Sequence, residues 1–262
     1  MQMRNSYINN YELKEVFNMA GHSKFKNIMH RKGDQDQKRA KTFTRVIKEI
    51  IVAAKSNADP NFNPRLRAAI TAAKQVNLPK DRIDSAIKRA TSGNDGVSYE
   101  EIRYEGYGPS GVALIVETLT DNKNRTVGEI RSTFSKHGGT LGEQGNVSYL
   151  FKKMGIILYK TDEIDKTQLM EEAIDVGVDD CLEEDGYIEI LCSVEKYSEI
   201  TEKLEAKFGK PLESEIRWIA ETTVTLDEEK GDKVLKLIDA LDNLDDVQSV
   251  SSNYKLFSEN IR

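Results

Sequence analysis

Thiols, tryptophan, histidine and long apolar runs are all scarce in this 262-residue chain, which has two Cys, one Trp, three His and five Pro. Two cysteines are too few for a disulfide framework or a structural thiolate zinc site. No run approaches the ~20 apolar residues that a membrane-spanning helix needs. The segment Met1–Asn18 is polar and lacks the apolar core of a secretory leader, so a cytoplasmic address with no membrane partner is expected. His22 and His30 have no carboxylate or thiol at ligand spacing, and His137 precedes Gly138 where a helix would end. No metal is therefore expected, and surface or capping roles suit these rings better. A nucleophile elbow, His-Glu-x-x-His, a P-loop lysine and an evident Cys–His pair are all missing. The expected class is non-enzymatic, with no cofactor and no small-molecule substrate.

Charge is what the chain has in excess, and it is unevenly placed. The net charge is −6. From Met19 to Ser92 there are 17 basic and 6 acidic residues, a net +11, while Gly93 to Arg262 holds 19 basic and 36 acidic residues, a net −17. The first 18 residues carry two charges of each sign and cancel. A basic head on an acidic body points to a polyanionic partner for the head alone, with the body repelling that partner and orienting the molecule.

Periodicity divides the head into three helices. Ala40, Phe43, Ile47, Ile50, Ile51 and Ala54 recur at spacings of three and four and form one apolar face. Lys38, Lys41, Arg45, Lys48 and Lys55 recur on the opposite side, about 200° round the helix. Pro60 and Pro64 break the chain, and Pro64 after Asn63 suits the first turn of a second helix, with Leu66, Ala69, Ile70, Ala73 and Val76 buried. After Leu78-Pro79, Ile83, Ile87 and Ala90 mark a third helix ending near Gly93. Together the helices can close a small bundle.

Beyond a linker at Thr91–Ser98 the period changes. Val112–Leu119 reads as a strand, Val127, Ile130 and Phe134 as a helix stopped by Gly138-Gly139, and Val147–Phe151 as another strand. Near the C-terminus come a strand at Thr222–Leu226, a helix at Val234–Leu241 and a strand at Val247–Val250. Between these halves lies a β-α-β-β-α-β run: Ile156–Tyr159, Gln168–Val176, a hairpin about Asp185-Gly186, Tyr197–Phe208 and Glu215–Ile219. A two-residue turn there pairs Glu184 with Tyr187 and sets Cys181 opposite Ile190, with both cysteines on the face of Ile188 and Ile190 as buried, inert thiols. The fold class is multidomain α and α+β: a three-helix N-terminal domain plus two ferredoxin-like α+β domains, one inserted in the other. The expected boundaries are an extension at 1–18, a basic helical nucleic-acid-binding domain at 19–96, a discontinuous domain at 97–151 and 221–262, and an inserted domain at 152–220.

Candidate binding residues concentrate in the head. Gly21–Gly33 combines His22, Ser23, Lys24, Lys26, His30, Arg31 and Lys32 with Phe25 and little apolar periodicity, which suits an arm laid along phosphates. Phe25 could stack on a base or pack under the bundle. The helix stripe, with Lys38, Arg39, Lys41, Arg45 and Lys48, would extend that surface. Reversing the charge of Lys38, Lys41, Arg45 and Lys48 should then abolish binding and spare folding. Asp121–Thr126 holds Lys123 and Arg125 at a helix start, a secondary anion contact, with Thr126 and Glu129 fitting a capping box. Gly106–Gly111 matches G-x-G-x-x-G, but it precedes a strand rather than opening a helix, and a tight loop is the better reading.

At Met19–Lys32, Asp59–Ala69 (DPNFNPRLRAA), Asn77–Ala90, Tyr99–Thr126, Gly138-Gly139 and Leu237–Val250 the chain resembles the YebC family. Its bacterial members are described as transcriptional regulators, and one mitochondrial relative is a translational activator of a cytochrome oxidase subunit. The resemblance runs from Met19 to about Asn253, with two departures: the extension Met1–Asn18, and Phe25 where the family usually has Trp. It implies three domains, a cytoplasmic location and DNA binding linked to gene regulation, or alternatively a translation factor that binds ribosomal RNA on the ribosome. It supplies no catalytic residues.

Overall fold

Proline and asparagine punctuate the head as the spacing predicts. In a computed structural model that describes residues 35–92, 98–184 and 186–257, helices α1 (Gln35–Ser56), α2 (Pro64–Gln75) and α3 (Lys80–Ser92) form the bundle. Asn63 caps α2: its side-chain oxygen accepts from the Leu66 N–H at 3.0 Å, and Pro64 follows where no N–H is needed. Ile50, Ile51, Ala54, Leu66, Ala69, Ala73, Ile83 and Ala86 are buried together, and Phe43, Ile47, Ile70, Val76, Ile87 and Ala90 pack around them. Each fully buried Leu or Ile contributes ~1.5–3 kcal/mol, enough in sum to hold helices that are marginal alone.

The rest of the chain is α+β. In order it comprises β1 (Glu100–Tyr107), β2 (Ala113–Thr120), α4 (Lys123–Lys136), β3 (Thr140–Leu141), β4 (Phe151–Lys160), α5 (Lys166–Asp175), β5 (Asp180–Glu184), β6 (Tyr187–Ser193), α6 (Tyr197–Phe208) and β7 (Glu213–Ala220). It ends with β8 (Val224–Leu226), α7 (Glu228–Asp242), β9 (Val247–Ser252) and β10 (Tyr254–Leu256). These residues group into two compact units, one of 35–92, 98–147 and 232–250, the other of 148–184, 186–231 and 251–257.

In the second unit β4 to β7 form an antiparallel sheet in the order β5-β6-β4-β7, the ferredoxin-like arrangement expected of the inserted run. One face carries Ile157, Tyr159, Ile188, Ile190 and Cys192 against Leu169, Ala173, Ile200 and Leu204 of α5 and α6. The hairpin register is the predicted one, Glu184 opposite Tyr187 and Cys181 opposite Ile190. Burial pushes both thiols up to about 11, which keeps them protonated and unreactive near neutral pH. A parallel pair, β8 with β10, completes this unit.

The sheet of the first unit runs β3-β1-β2-β9, so a strand from beyond the inserted run closes it. Its strands differ from the expected ones. Val147–Phe151 is no strand: Ser148–Leu150 makes a 3-10 turn and Phe151 opens β4. The missing partner is β1, which pairs with β2 from Glu100↔Thr120 to Tyr107↔Ala113. The glycine-rich segment is the loop of that hairpin, with Ser110 and Gly111 at φ 61° and 75°. A Cβ on Gly106 would stand 2.6 Å from the Thr140 carbonyl, so glycine is what lets β3 lie against β1. Among the described residues no helix is long and apolar enough to cross a membrane.

Candidate nucleic-acid interface

Helix α1 carries the basic stripe, but Lys41, Arg45 and Lys48 of that stripe meet the protein's own oxygen acceptors, while Lys55 is exposed. Lys41 Nζ donates to the Asn243 carbonyl and, at 3.3 Å, to the Asn243 side-chain oxygen. Arg45 Nη2 donates to the Asp242 carbonyl and lies 3.3 Å from its carboxylate. Lys48, only 9% exposed, donates to Asp246 Oδ1 at 2.7 Å and to the Asp245 carbonyl at 3.0 Å. The acceptors are the C-terminal end of α7 and the turn after it, where unpaired carbonyls and the helix dipole favour cations even before the carboxylates are counted. The expectation that charge reversal at Lys48 would spare folding is thereby corrected, because its ammonium is buried in an ion pair.

Asp246 is the centre of this contact and was not singled out by sequence reasoning. Its carboxylate is buried, and besides Lys48 it accepts from Arg125 Nη2 at 2.6 Å, Thr126 Oγ1 at 2.7 Å and Thr120 Oγ1 at 3.0 Å. Its carbonyl takes the Leu119 N–H at 2.8 Å. Burial alone would raise its pKa, but hydrogen bonds from Lys48, Arg125 and Thr126 outweigh that and hold the carboxyl well below the ordinary range. One side chain thus joins α1, β2 and α4. Its partners lie 120 or more positions away, as with Thr126 at |i−j| of 120, so no local pattern could have found it.

The same network repositions the Asp121–Thr126 residues. Asn122, not Thr126, caps α4, accepting the Arg125 N–H at 3.1 Å, while the Thr126 hydroxyl is spent on Asp246, Thr120 and the Asn122 carbonyl. Arg125 is shared between Asp246 and Asp121, and Lys123 is exposed at the first residue of the helix. His137 caps the other end, its Nδ1 lying 2.9 Å from the Thr133 carbonyl. Lys38 and Arg39 fall in α1, but their side chains, like the whole of His22, Ser23, Lys24, Lys26, His30, Arg31 and Lys32, lie outside the described residues.

A helical head bearing cations, followed by antiparallel α+β domains of which one interrupts the other, is the class this architecture defines. Within that class the chain belongs to the TACO1/YebC family. Residues 23–93 match the TACO1/YebC protein N-terminal domain, and residues 99–254 match the TACO1/YebC second and third domain. A protein of Rickettsia canadensis named probable transcriptional regulatory protein is 52% identical over 241 residues, covering 91% of this chain and 96% of that one. A namesake from Rickettsia felis is also 52% identical over 241 residues, covering 91% of this chain and 95% of its own. The crystal structure of a conserved hypothetical protein from Aquifex aeolicus superposes with a TM-score of 0.78 at 41% identity, covering 87% of this chain and 94% of that chain. The family is one of regulators by the names its members carry.

Proposed function

We propose that this chain is a non-enzymatic, nucleic-acid-binding transcriptional regulator of the cytoplasm, whose partner is DNA. The observation that carries the reading is the division of charge, +11 on residues 19–92 against −17 on residues 93–262, and the names of the relatives support it. The phosphate contacts fall to the arm residues His22, Ser23, Lys24, Lys26, His30, Arg31 and Lys32 and to Lys38 and Arg39, with Lys123 as a secondary anion contact. Affinity that rests on phosphate neutralisation falls steeply with salt and carries little sequence preference.

A second reading, a translation factor bound to ribosomal RNA, is favoured by the engagement of Lys41, Arg45 and Lys48 within the protein, which removes them from a base-reading face on α1. The test titrates one labelled DNA site, its scramble and purified ribosomes at one salt concentration. Preference for the site by roughly 10³ supports the transcriptional reading. Equal weak binding to both DNAs beside tight ribosome binding overturns it in favour of the second.

A further inference from the structure

We propose that Phe62 is a platform on which an unpaired nucleobase stacks, with Arg67 beside it for the adjoining phosphate; this rests on, and deepens, the nucleic-acid-binding reading. Phe62 is 77% exposed, the highest figure among the exposed large hydrophobic side chains of the described residues. Leaving a phenylalanine in water forgoes about 1.5–3 kcal/mol of burial, and a loose loop would let it fold back.

This loop is not loose. The Asn57 side chain accepts from the Asp59 N–H at 2.8 Å, the Asp59 side chain accepts from the Asn61 N–H at 2.8 Å, and the Phe62 N–H donates to the Asp59 carbonyl at 3.1 Å. On the other side the buried Asn63 amide donates to the Ala53 carbonyl at 2.7 Å and to the Asn57 carbonyl at 2.6 Å. The aromatic ring is therefore carried on a braced turn between α1 and α2. Arg67, one turn into α2, reaches back with Nη1 to the Pro60 carbonyl at 3.1 Å and the Asn61 carbonyl at 3.4 Å. That places a guanidinium next to the ring's own loop and leaves its other N–H donors for an anion.

The charge of the surrounding chain selects the occupant. From Pro64 to Ser92 there are seven basic and two acidic residues, and Lys74, Lys80, Arg82 and Lys88 are exposed. That net charge on the two helices after the loop suits a polyanion better than an apolar protein surface. Every base offers a π-face, so stacking tolerates sequence, and bases already stacked in a duplex are much less accessible to a surface ring.

The test uses the full chain, single-stranded RNA and single-stranded DNA of about 12 nucleotides, within the site sizes such platforms cover, and the matching duplex. Each single strand carries one 2-aminopurine. F62A is expected to weaken single-strand binding about tenfold or more, leave duplex binding and the melting temperature unchanged, and abolish the 2-aminopurine quenching seen with wild type. F62W is expected to restore both. A loss confined to RNA identifies RNA as the source of the base, and a loss confined to DNA identifies single-stranded DNA. If wild type binds and F62A binds equally well, the platform is wrong, the nucleic-acid reading stands, and Phe62 is free to be a protein anchor. If F62W fails to rescue, aromatic stacking is likewise overturned. If wild type binds none of the three at near-physiological salt, the proposed function falls together with the platform.

Discussion

Two parts of the helical head each carry cations and meet opposite surroundings. Along α1, Lys41, Arg45 and Lys48 are held by Asn243, Asp242 and Asp246. Phe62 on the α1–α2 loop and Arg67 in the first turns of α2 are exposed. Helical spacing of cations shows that a face is built to meet anions, but it does not say whose anions these are. Burial decides. Lys48 sits in a low-dielectric contact where an ion pair must be complete, and that requirement makes it structural whatever else the head binds.

The contrast is broken most sharply by K48E. It would set a second carboxylate against Asp246 in a buried site, adding repulsion to the loss of the ammonium. Leaving one partner of a buried pair alone costs about 3–5 kcal/mol, and K48E should exceed that, reading out in urea as collapse of the unit that contains the head. A K48E protein with an unchanged unfolding midpoint would show that the stripe is not docked on the acidic turn.

D246A should follow, at about 3–5 kcal/mol, because it strands Lys48 and frees the hydroxyls of Thr120 and Thr126. Its isostere D246N separates charge from shape and carries a pH signature. The folded carboxyl lies below its unfolded value, so the stability it contributes is complete above about pH 4 and is lost as the pH falls from there toward the folded pKa. The deficit of D246N relative to wild type should therefore be full at neutral pH and should narrow below about pH 4. A deficit that instead widened in acid would reverse the sign and refute the assignment.

Much of this was legible in the sequence where the information is local. The head's apolar faces, the Asn63–Pro64 helix start and the Glu184–Tyr187 hairpin register all follow from spacings of two to four residues. Strand β1 was hidden because its burial comes as a block, Tyr104, Glu105 and Gly106, rather than alternating. Glu105 in that block is 1% exposed, 3.0 Å from Arg103 Nε, and takes the Val147 N–H at 2.9 Å. A buried carboxylate that takes a backbone N–H from 42 positions away looks, in sequence, like a solvated loop. Thr126 misled for the same reason: it has the chemistry of a cap, but its hydroxyl serves Asp246. Long-range polar contacts leave no periodic trace, and the engagement of Lys41, Arg45 and Lys48 within the protein was not legible because their partners are of that kind.

The smallest expected effects discriminate best between the two parts of the head. Lys41, hydrogen-bonded to Asn243, and Arg45, paired with Asp242, are less buried than Lys48, so truncating either should cost only about 0–1 kcal/mol, as for solvent-screened contacts. If these side chains serve the fold, K41A and R45A should shift the unfolding midpoint slightly and leave affinity for single-stranded nucleic acid within about twofold, well under the tenfold per 1.4 kcal/mol that a lost direct contact would show. F62A should do the reverse, with no change in midpoint and a clear fall in affinity. Both measurements belong on the same preparations at one ionic strength, because phosphate contacts weaken with salt while the midpoint is far less sensitive to it. The slope of log affinity against log salt adds a further arm: removing a cation that touches phosphate lowers the slope by nearly one, whereas removing one that only anchors α1 leaves it unaltered. A fall in slope for K41A or R45A would mean that these cations leave the acidic turn to meet the polyanion, and the division between the two parts of the head would collapse.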